Sequence, residues 1–188
     1  LPIYSYGTML GLSFFVGWLM LTRRAPERLQ TTPDKLANAF FATLLSSLIG
    51  ARLLFVIANP ELHHSLLDFV DLRSGGMVAY GGFLGGLLGS TLYCRKQGWK
   101  LSDWADAAAP SLAIGLALTR VGCFLFGCNY GMPLGEGAPG WLKALGTFPR
   151  WEDRTGSPAW SHHVLNYDLS HEASHSLPVH PTQIYESL

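Results

Sequence analysis

Four apolar runs, each about long enough to cross a bilayer, do most to restrict what this chain can fold into. They cover Tyr4–Leu21, Leu36–Ala58, Gly76–Tyr93 and Trp104–Phe126. The hydrocarbon core takes roughly 20 apolar residues in helical form. A single such run could be a buried helix of a soluble protein, but four within 188 residues argue for a membrane bundle. Composition agrees: only 14% of the residues are charged, against about 25% in soluble domains. The formal net charge is zero, which removes the bulk electrostatic case for nucleic acid as a partner. The expected fold class is all-α: a polytopic integral membrane helix bundle with an extracytoplasmic head segment.

The bundle is expected over residues 1–128, the head over 129–179, and the start of a further transmembrane helix over 180–188. Gly82/Gly86 and Gly85/Gly89 are GxxxG pairs in the third run and suit close helix packing. Orientation follows from basic residues. Arg23, Arg24, Arg28 and Lys35 lie between the first two runs, and Arg95, Lys96 and Lys100 between the last two. The other side holds Arg73, Lys143, Arg150 and Arg154. The positive-inside rule then puts the two compact basic loops in the cytoplasm and the amino terminus and head outside. The basic cluster follows the first run instead of preceding it, so that run is no signal peptide. A start at Leu1 and a stop at Leu188, as another span is expected to begin, read as a carboxy-terminally truncated piece.

Two arginines stand where a charge is costly. Arg120 closes the run Ala107–Leu118, and Arg52 sits between Ala42–Ala51 and Leu53–Ala58. Intramembrane arginines usually face a polar cavity or a partner and mark function, so both are candidate ligands for an anion inside a bilayer. The competing readings are snorkelling or a carboxylate pair for Arg120, and a helix–helix tie for Arg52, for example to Glu186.

Five motifs in order carry a resemblance: Tyr4-Ser-Tyr-Gly7, Gly50-Ala-Arg-Leu53, Gly75-Gly-Met-Val-Ala-Tyr-Gly-Gly-Phe-Leu-Gly85, Arg120-Val-Gly-Cys-Phe124 and His180-Pro-Thr-Gln-Ile-Tyr-Glu186. Together they resemble the prolipoprotein diacylglyceryl transferase family, across nearly the whole chain. The resemblance implies a multi-pass protein of the bacterial inner membrane. It would move the diacylglyceryl group of phosphatidylglycerol onto the lipobox cysteine thiol of preprolipoproteins, releasing glycerol phosphate. Phosphatidylglycerol, the preprolipoprotein signal peptide with its lipobox, and membrane lipid are the partners it implies. The nucleophile belongs to the substrate, so neither a metal nor a cofactor is required. A guanidinium matches phosphate with a planar, bidentate fork and stays charged in a poor dielectric. Preorganised cations in a dry site stabilise charge as it develops. Arg120 and Tyr80 are therefore the catalytic candidates. Arg120, Arg52, Gly81, Gly82, Cys123, His180, Gln183, Tyr185 and Glu186 are the substrate-binding candidates.

The departures are specific. Tyr80 stands where the family pattern has histidine. A phenol titrates near 10, so it donates a hydrogen bond more readily than it accepts a proton; a tyrosine packed between helices is the alternative. Cys123 replaces an asparagine of the pattern, and Gly127-Cys-Asn-Tyr-Gly131 replaces Gly-Glu-Xaa-Trp-Gly, so Cys128 stands in place of a carboxylate. These changes suggest a divergent branch, and a catalytically silent paralogue that binds lipid or signal peptides is the alternative function. Cys123 and Cys128 have no standard zinc spacing; they are read as free thiols, with an extracytoplasmic disulfide as the other option. His162, His163, His171 and His175 concentrate in the head. His171-Glu-Ala-Ser-His175 fits the zincin pattern if it is helical, but solvated histidines are the plainer reading. Asp103 and Asp106, at the start of the last run, suit a helix amino terminus.

Overall fold

A computed structural model describes residues 5–62, 76–151 and 156–187. Tyr4, Arg73, Gly75, Arg154 and Leu188, used in the reading above, lie outside the described residues. Helices dominate: α1 Ser5–Leu29, α2 Pro33–Ala58, α3 Ala79–Gln97, α4 Leu101–Phe126, α5 Gly140–Leu145, α6 Pro158–Asn166 and α7 Thr182–Tyr185, with a 3-10 turn at Pro60–Leu62. Pairing of β type among the described residues is confined to two isolated antiparallel bridges, Pro133 with Val179 and Pro149 with His175. The all-α membrane fold is therefore observed. Ser5–Pro26, Pro33–Ala58 and Leu101–Phe126 are each long and apolar enough to span a membrane. The expected third span is a helix too, α3, but it is not among those three. Its 19 residues include five glycines and end in Arg95, Lys96 and Gln97, which dilutes its apolarity.

Contacts divide the chain into two compact units, residues 18–110 and residues 1–17 with 111–188. In the first unit, α2 and α3 pack through small residues. A Cβ on Gly81 would strike the carbonyl of Gly50, and one on Gly85 would strike the carbonyl of Ser46 and lie 3.0 Å from the Gly50 Cα. Close approach of this kind is what glycine stripes in apolar helices provide. Among the described residues three polar ties join the two helices: Ser47 Oγ donates to the Gly82 carbonyl at 2.9 Å, the Thr43 and Ser90 hydroxyls are 2.9 Å apart, and the Tyr93 hydroxyl donates to the Lys35 carbonyl at 3.1 Å. At one end of the unit Leu21, Ala25, Leu36, Ala39, Cys94, Trp104 and Ala107 form a buried cluster.

The basic connections are shorter than the apolar runs suggest. α1 carries Arg23 and Arg24 and ends only at Leu29, and after three intervening residues Pro33 opens α2, a favoured first helical position for proline. Likewise α3 ends with Arg95 and Lys96 in its last turn, where cations complement the helix dipole. Gly98 caps it at φ 72°, and the Trp99 amide donates back to the Cys94 carbonyl at 2.9 Å. Asp103 falls in the first turn of α4 as expected; Asp106 lies one turn further in and is not a cap.

In the second unit, the segment after α4 has order that scattered hydrophobicity did not announce. Phe148, Ala159 and Val179 are buried together with Phe124 and Tyr130 packed on them. Ser157 caps α6 by accepting from the Trp160 amide at 3.3 Å. The following loop is pinned to that helix: Trp160 Nε1 donates to the Ala173 carbonyl at 2.8 Å, and the Leu177 amide to His163 Nδ1 at 3.1 Å.

Candidate functional site

The end of α4 closes on a glycine, and that closure positions the site. Gly127 has φ 78°, a left-handed conformation that the surrounding turn needs. The Cys128 amide returns to the Cys123 carbonyl at 3.1 Å and the Gly127 amide to the Phe124 carbonyl at 3.1 Å, the pattern of a Schellman cap. The chain beyond then runs alongside the His180–Glu186 motif. Gly131 donates its amide to the His180 carbonyl at 2.8 Å, and His180 donates to the Met132 carbonyl at 3.0 Å. Thr182 Oγ1 donates to the Asn129 carbonyl at 2.9 Å, and Gln183 Nε2 to the Cys128 carbonyl at 2.6 Å. Beside these bonds Arg120 Nη2 lies 2.6 Å from Glu186 Oε2, with about a third of the Arg120 side chain and half of the Glu186 side chain exposed (36% and 51%). Two motifs about sixty residues apart in sequence thus meet at one place. The carboxylate that sequence reading offered to Arg52 is paired with Arg120 instead, because the motif segment docks on the end of α4.

The remaining candidates of this unit surround the pair. Cys123 is buried, and its sulfur accepts from Asn129 Nδ2 at 3.5 Å. A side-chain amide, replaced by sulfur at position 123, is thus present from position 129. Cys128, outside the span, has its thiol pushed up to about 11 by burial and by the neighbouring Cys123 with which it hydrogen-bonds, so it stays protonated at neutral pH. Both thiols are free. Gln183 is fully buried, and its Oε1 has no partner among the described residues. His180 and Tyr185 are exposed on the same segment, with His180 Nδ1 3.4 Å from the Tyr185 hydroxyl. Tyr6 of α1 was missed by sequence reasoning. It lies within electrostatic reach of Arg120, Cys123 and Cys128, and packs on Phe126 with ring centroids 6.3 Å apart. Its signal was its place in Tyr4-Ser-Tyr-Gly7, to which no chemistry had been attached.

In the other unit Arg52 is only 2% exposed. Its Nη1 donates to the Gly76 carbonyl at 3.0 Å, and its guanidinium stands 5.4 Å from the centre of the Phe55 ring. Gly76 has φ 81° and would bring any Cβ onto that same ring, so glycine is required there twice over. The Val78 amide donates to the Ala51 carbonyl at 3.1 Å, completing a wrap of the segment before α3 around the end of α2. Gly81 and Gly82 are buried in the α2–α3 contact. Tyr80, one residue before them, is 79% exposed. In the head, His171 lies in a turn and His175 in a bridge, so the helical spacing that the zincin pattern needs is not formed. Among the described residues no three His, Cys, Asp or Glu side chains are grouped to hold a metal.

Comparison with known proteins converges on one family. The family model described as prolipoprotein diacylglyceryl transferase matches residues 1–188. The phosphatidylglycerol–prolipoprotein diacylglyceryl transferase of Clostridium tetani is 29% identical over 195 residues, covering 100% of this chain and 65% of its own length. The second such transferase of Clostridium perfringens is 37% identical over 133 residues, covering 70% of this chain and 51% of its own length. That of a Thermoanaerobacter species is 34% identical over 124 residues, or 65% and 48%. The chain thus spans between about half and two thirds of the length of these relatives.

Proposed function

The chain belongs to the prolipoprotein diacylglyceryl transferase family, and we propose that the protein it represents transfers the diacylglyceryl group of phosphatidylglycerol to a lipobox cysteine thiol in the bacterial inner membrane. The observation that carries this reading is the meeting of Arg120 and Glu186 at the end of α4. A partly exposed guanidinium beside a membrane span is suited to a lipid phosphate, and the leaving group here is a phosphate ester. The thiol attacks the glyceryl carbon that bears the phosphate, and the carbon–oxygen bond breaks. Charge accumulates on the departing glycerol phosphate, where Arg120 holds it with a fork of N–H donors. His180, Gln183 and Tyr185 belong to the segment that builds this corner. Gln183, being buried, acts through its grip on the Cys128 carbonyl. Nothing in the geometry of the described residues favours the silent paralogue.

Four spans and an outward-facing site complete the reading. Seven basic residues (Arg23, Arg24, Arg28, Lys35, Arg95, Lys96 and Lys100) gather at the two short connections, which supports a cytoplasmic location for them and an extracytoplasmic one for the head. Labelling of single cysteines on intact cells tests the orientation. Glu172→Cys should react with an impermeant maleimide and Arg24→Cys should not; the opposite pattern inverts the topology.

The transfer itself is tested with membranes carrying the full-length protein, phosphatidylglycerol and a lipobox peptide. The peptide should gain the mass of a diacylglyceryl group, and a peptide with serine in place of the lipobox cysteine should gain none. Absence of the adduct with folded protein in the membrane would refute the proposal.

A further inference from the structure

The reaction proposed above needs a proton acceptor for the substrate thiol, and the family-like histidine that would suggest one is Tyr80 in this chain. The groups around Arg120 narrow the choice. Cys123 is buried, and Cys128 hydrogen-bonds to it. Tyr6 is a phenol, and phenols are protonated at neutral pH. His180 is turned toward the Tyr185 hydroxyl, with its Nδ1 at 3.4 Å. Glu186 is the carboxylate in contact with Arg120, through Oε2, and about half of its side chain is accessible.

We infer that Glu186 is the proton acceptor for the lipobox thiol, acting from one edge of the Arg120 guanidinium while the phosphate occupies another. The inference rests on the transferase reading. A displacement at carbon puts nucleophile and leaving oxygen on opposite sides of that carbon. The base and the phosphate ligand must therefore be neighbours without sharing a position. A guanidinium meets that requirement because its donors point along separate edges of one plane. Nη2 is taken by Glu186 Oε2, leaving Nη1 and Nε for phosphate and Oε1 for the thiol.

The step balances. The sulfur–carbon bond forms as the S–H proton passes to Glu186 Oε1. The carbon–oxygen bond to phosphate breaks, its electron pair stays on glycerol phosphate, and Arg120 holds the added negative charge. Protonated Glu186 then returns its proton to water as glycerol phosphate leaves. The contact with Arg120 holds Glu186 in place before the substrate arrives. The backbone ties from Thr182 and Gln183 to the Asn129 and Cys128 carbonyls fix where the carboxylate stands.

The test separates a base from a residue that merely orients Arg120. Transfer is measured with Glu186→Gln in membranes of the full-length protein, using two peptides that differ only in cysteine or selenocysteine at the lipobox. A selenol is ionised at neutral pH and needs no base. General-base assistance is worth roughly 100-fold or more, so Glu186→Gln should slow thiol transfer by about that factor while slowing selenol transfer only a few-fold. Equal losses with both peptides would make Glu186 a positioning residue and overturn the inference, as would no loss with either. The parent protein supplies the separate control. If it modifies neither peptide, the transferase reading fails, not the assignment of Glu186.

Discussion

Arg52 and Arg120 look alike in sequence, each a lone cation at the edge of an apolar run, yet the structure gives them different company. Arg52 is 2% exposed and faces a neutral carbonyl and the Phe55 ring. These two contacts, among the described residues, tie the end of α2 to the segment before α3. Arg120 keeps about a third of its side chain accessible and faces a carboxylate. A carboxylate marks where an anion sits well against that guanidinium, and it leaves other donors of the fork open. A cation spent on the backbone holds a fold together; one shared with an anion at an open edge can do chemistry. We therefore assign the α2–α3 region to the scaffold and the α4 exit to the proposed site.

The largest effect should come from the scaffold. Gly85→Leu places a side chain where even a Cβ would overlap the Ser46 carbonyl and lie 3.0 Å from the Gly50 Cα. Overpacking ordinarily costs about 1–3 kcal/mol, and here the obstruction is backbone, which cannot swing aside. The variant should show little folded protein in membranes and no discrete melting transition in detergent. Gly11→Ala, whose new methyl would meet nothing within 4 Å, should match the parent. A Gly85→Leu protein that accumulates and melts like the parent would mean that α2 and α3 do not meet along this stripe.

Next come the arginines themselves. Arg120→Lys preserves charge and loses the bidentate fork. With bound lipid phosphate covering the guanidinium, losing that charged hydrogen bond costs about 2–5 kcal/mol, which slows transfer by roughly 30-fold to several thousand-fold, with the melting midpoint little changed. Arg52→Lys still offers a donor to the Gly76 carbonyl and loses chiefly its stack on Phe55, worth about 0.5–2 kcal/mol. Its transfer per folded molecule should be close to that of the parent, and its melting midpoint lower. If the two variants exchange phenotypes, the assignment of scaffold and site is reversed.

Much of this contrast was legible in the residues. Apolar length announced the helices, the GxxxG spacing announced a close contact made by α3, and the unusual arginines announced where to look. What periodicity could not announce was pairing across distance. Glu186 could be offered to either arginine until Thr182 and Gln183 were seen gripping the carbonyls after α4. Those grips depend on the left-handed turn at Gly127 and Asn129, a backbone event that a residue list does not rank. The head was opaque for a related reason. Its core of Phe148, Ala159 and Val179 is assembled from single residues of separate loops, so no run or period reveals it. The short basic connections were hidden because Arg23, Arg24, Arg95 and Lys96 continue the helices instead of ending them.

The site-bearing unit should also be the pH-sensitive one. His163 is fully buried and accepts the Leu177 amide at Nδ1. Its pKa is lowered by burial, and then by the neighbouring His162. Protonation would turn an acceptor facing an N–H into a second donor. The folded value lies below the ordinary value near 6.5. The stability contributed is therefore complete above about pH 6.5 and is lost as the pH falls through the depressed folded value. Relative to the intrinsic exchange rate at each pH, protection of the 160–177 region in proteoliposomes should fall between pH 7 and pH 5. In His163→Phe that loss of protection should vanish. Acid-sensitive protection that persists in His163→Phe would assign the effect to another group.

The smallest effect should separate Tyr80 from the scaffold that carries it. The residue sits in the first turn of α3, beside glycines committed to packing, yet it is 79% exposed. It is the one candidate of this unit that packing leaves available to a lipid head group. As a hydrogen-bond donor it would contribute about 1 kcal/mol, so Tyr80→Phe should slow transfer about fivefold. Because a phenol does not titrate in the working range, the shape of the pH–rate profile should be unchanged. Tyr80→His, which restores the family-like residue, should retain activity and add a titration near neutrality. A Tyr80→Phe enzyme as fast as the parent would reduce Tyr80 to a lipid-facing side chain and leave the site wholly at the α4 exit. Loss of an alkaline limb in Tyr80→Phe would have the opposite meaning. Tyr80 would then be a titrating base, and the α2–α3 region would be part of the chemistry instead of its support.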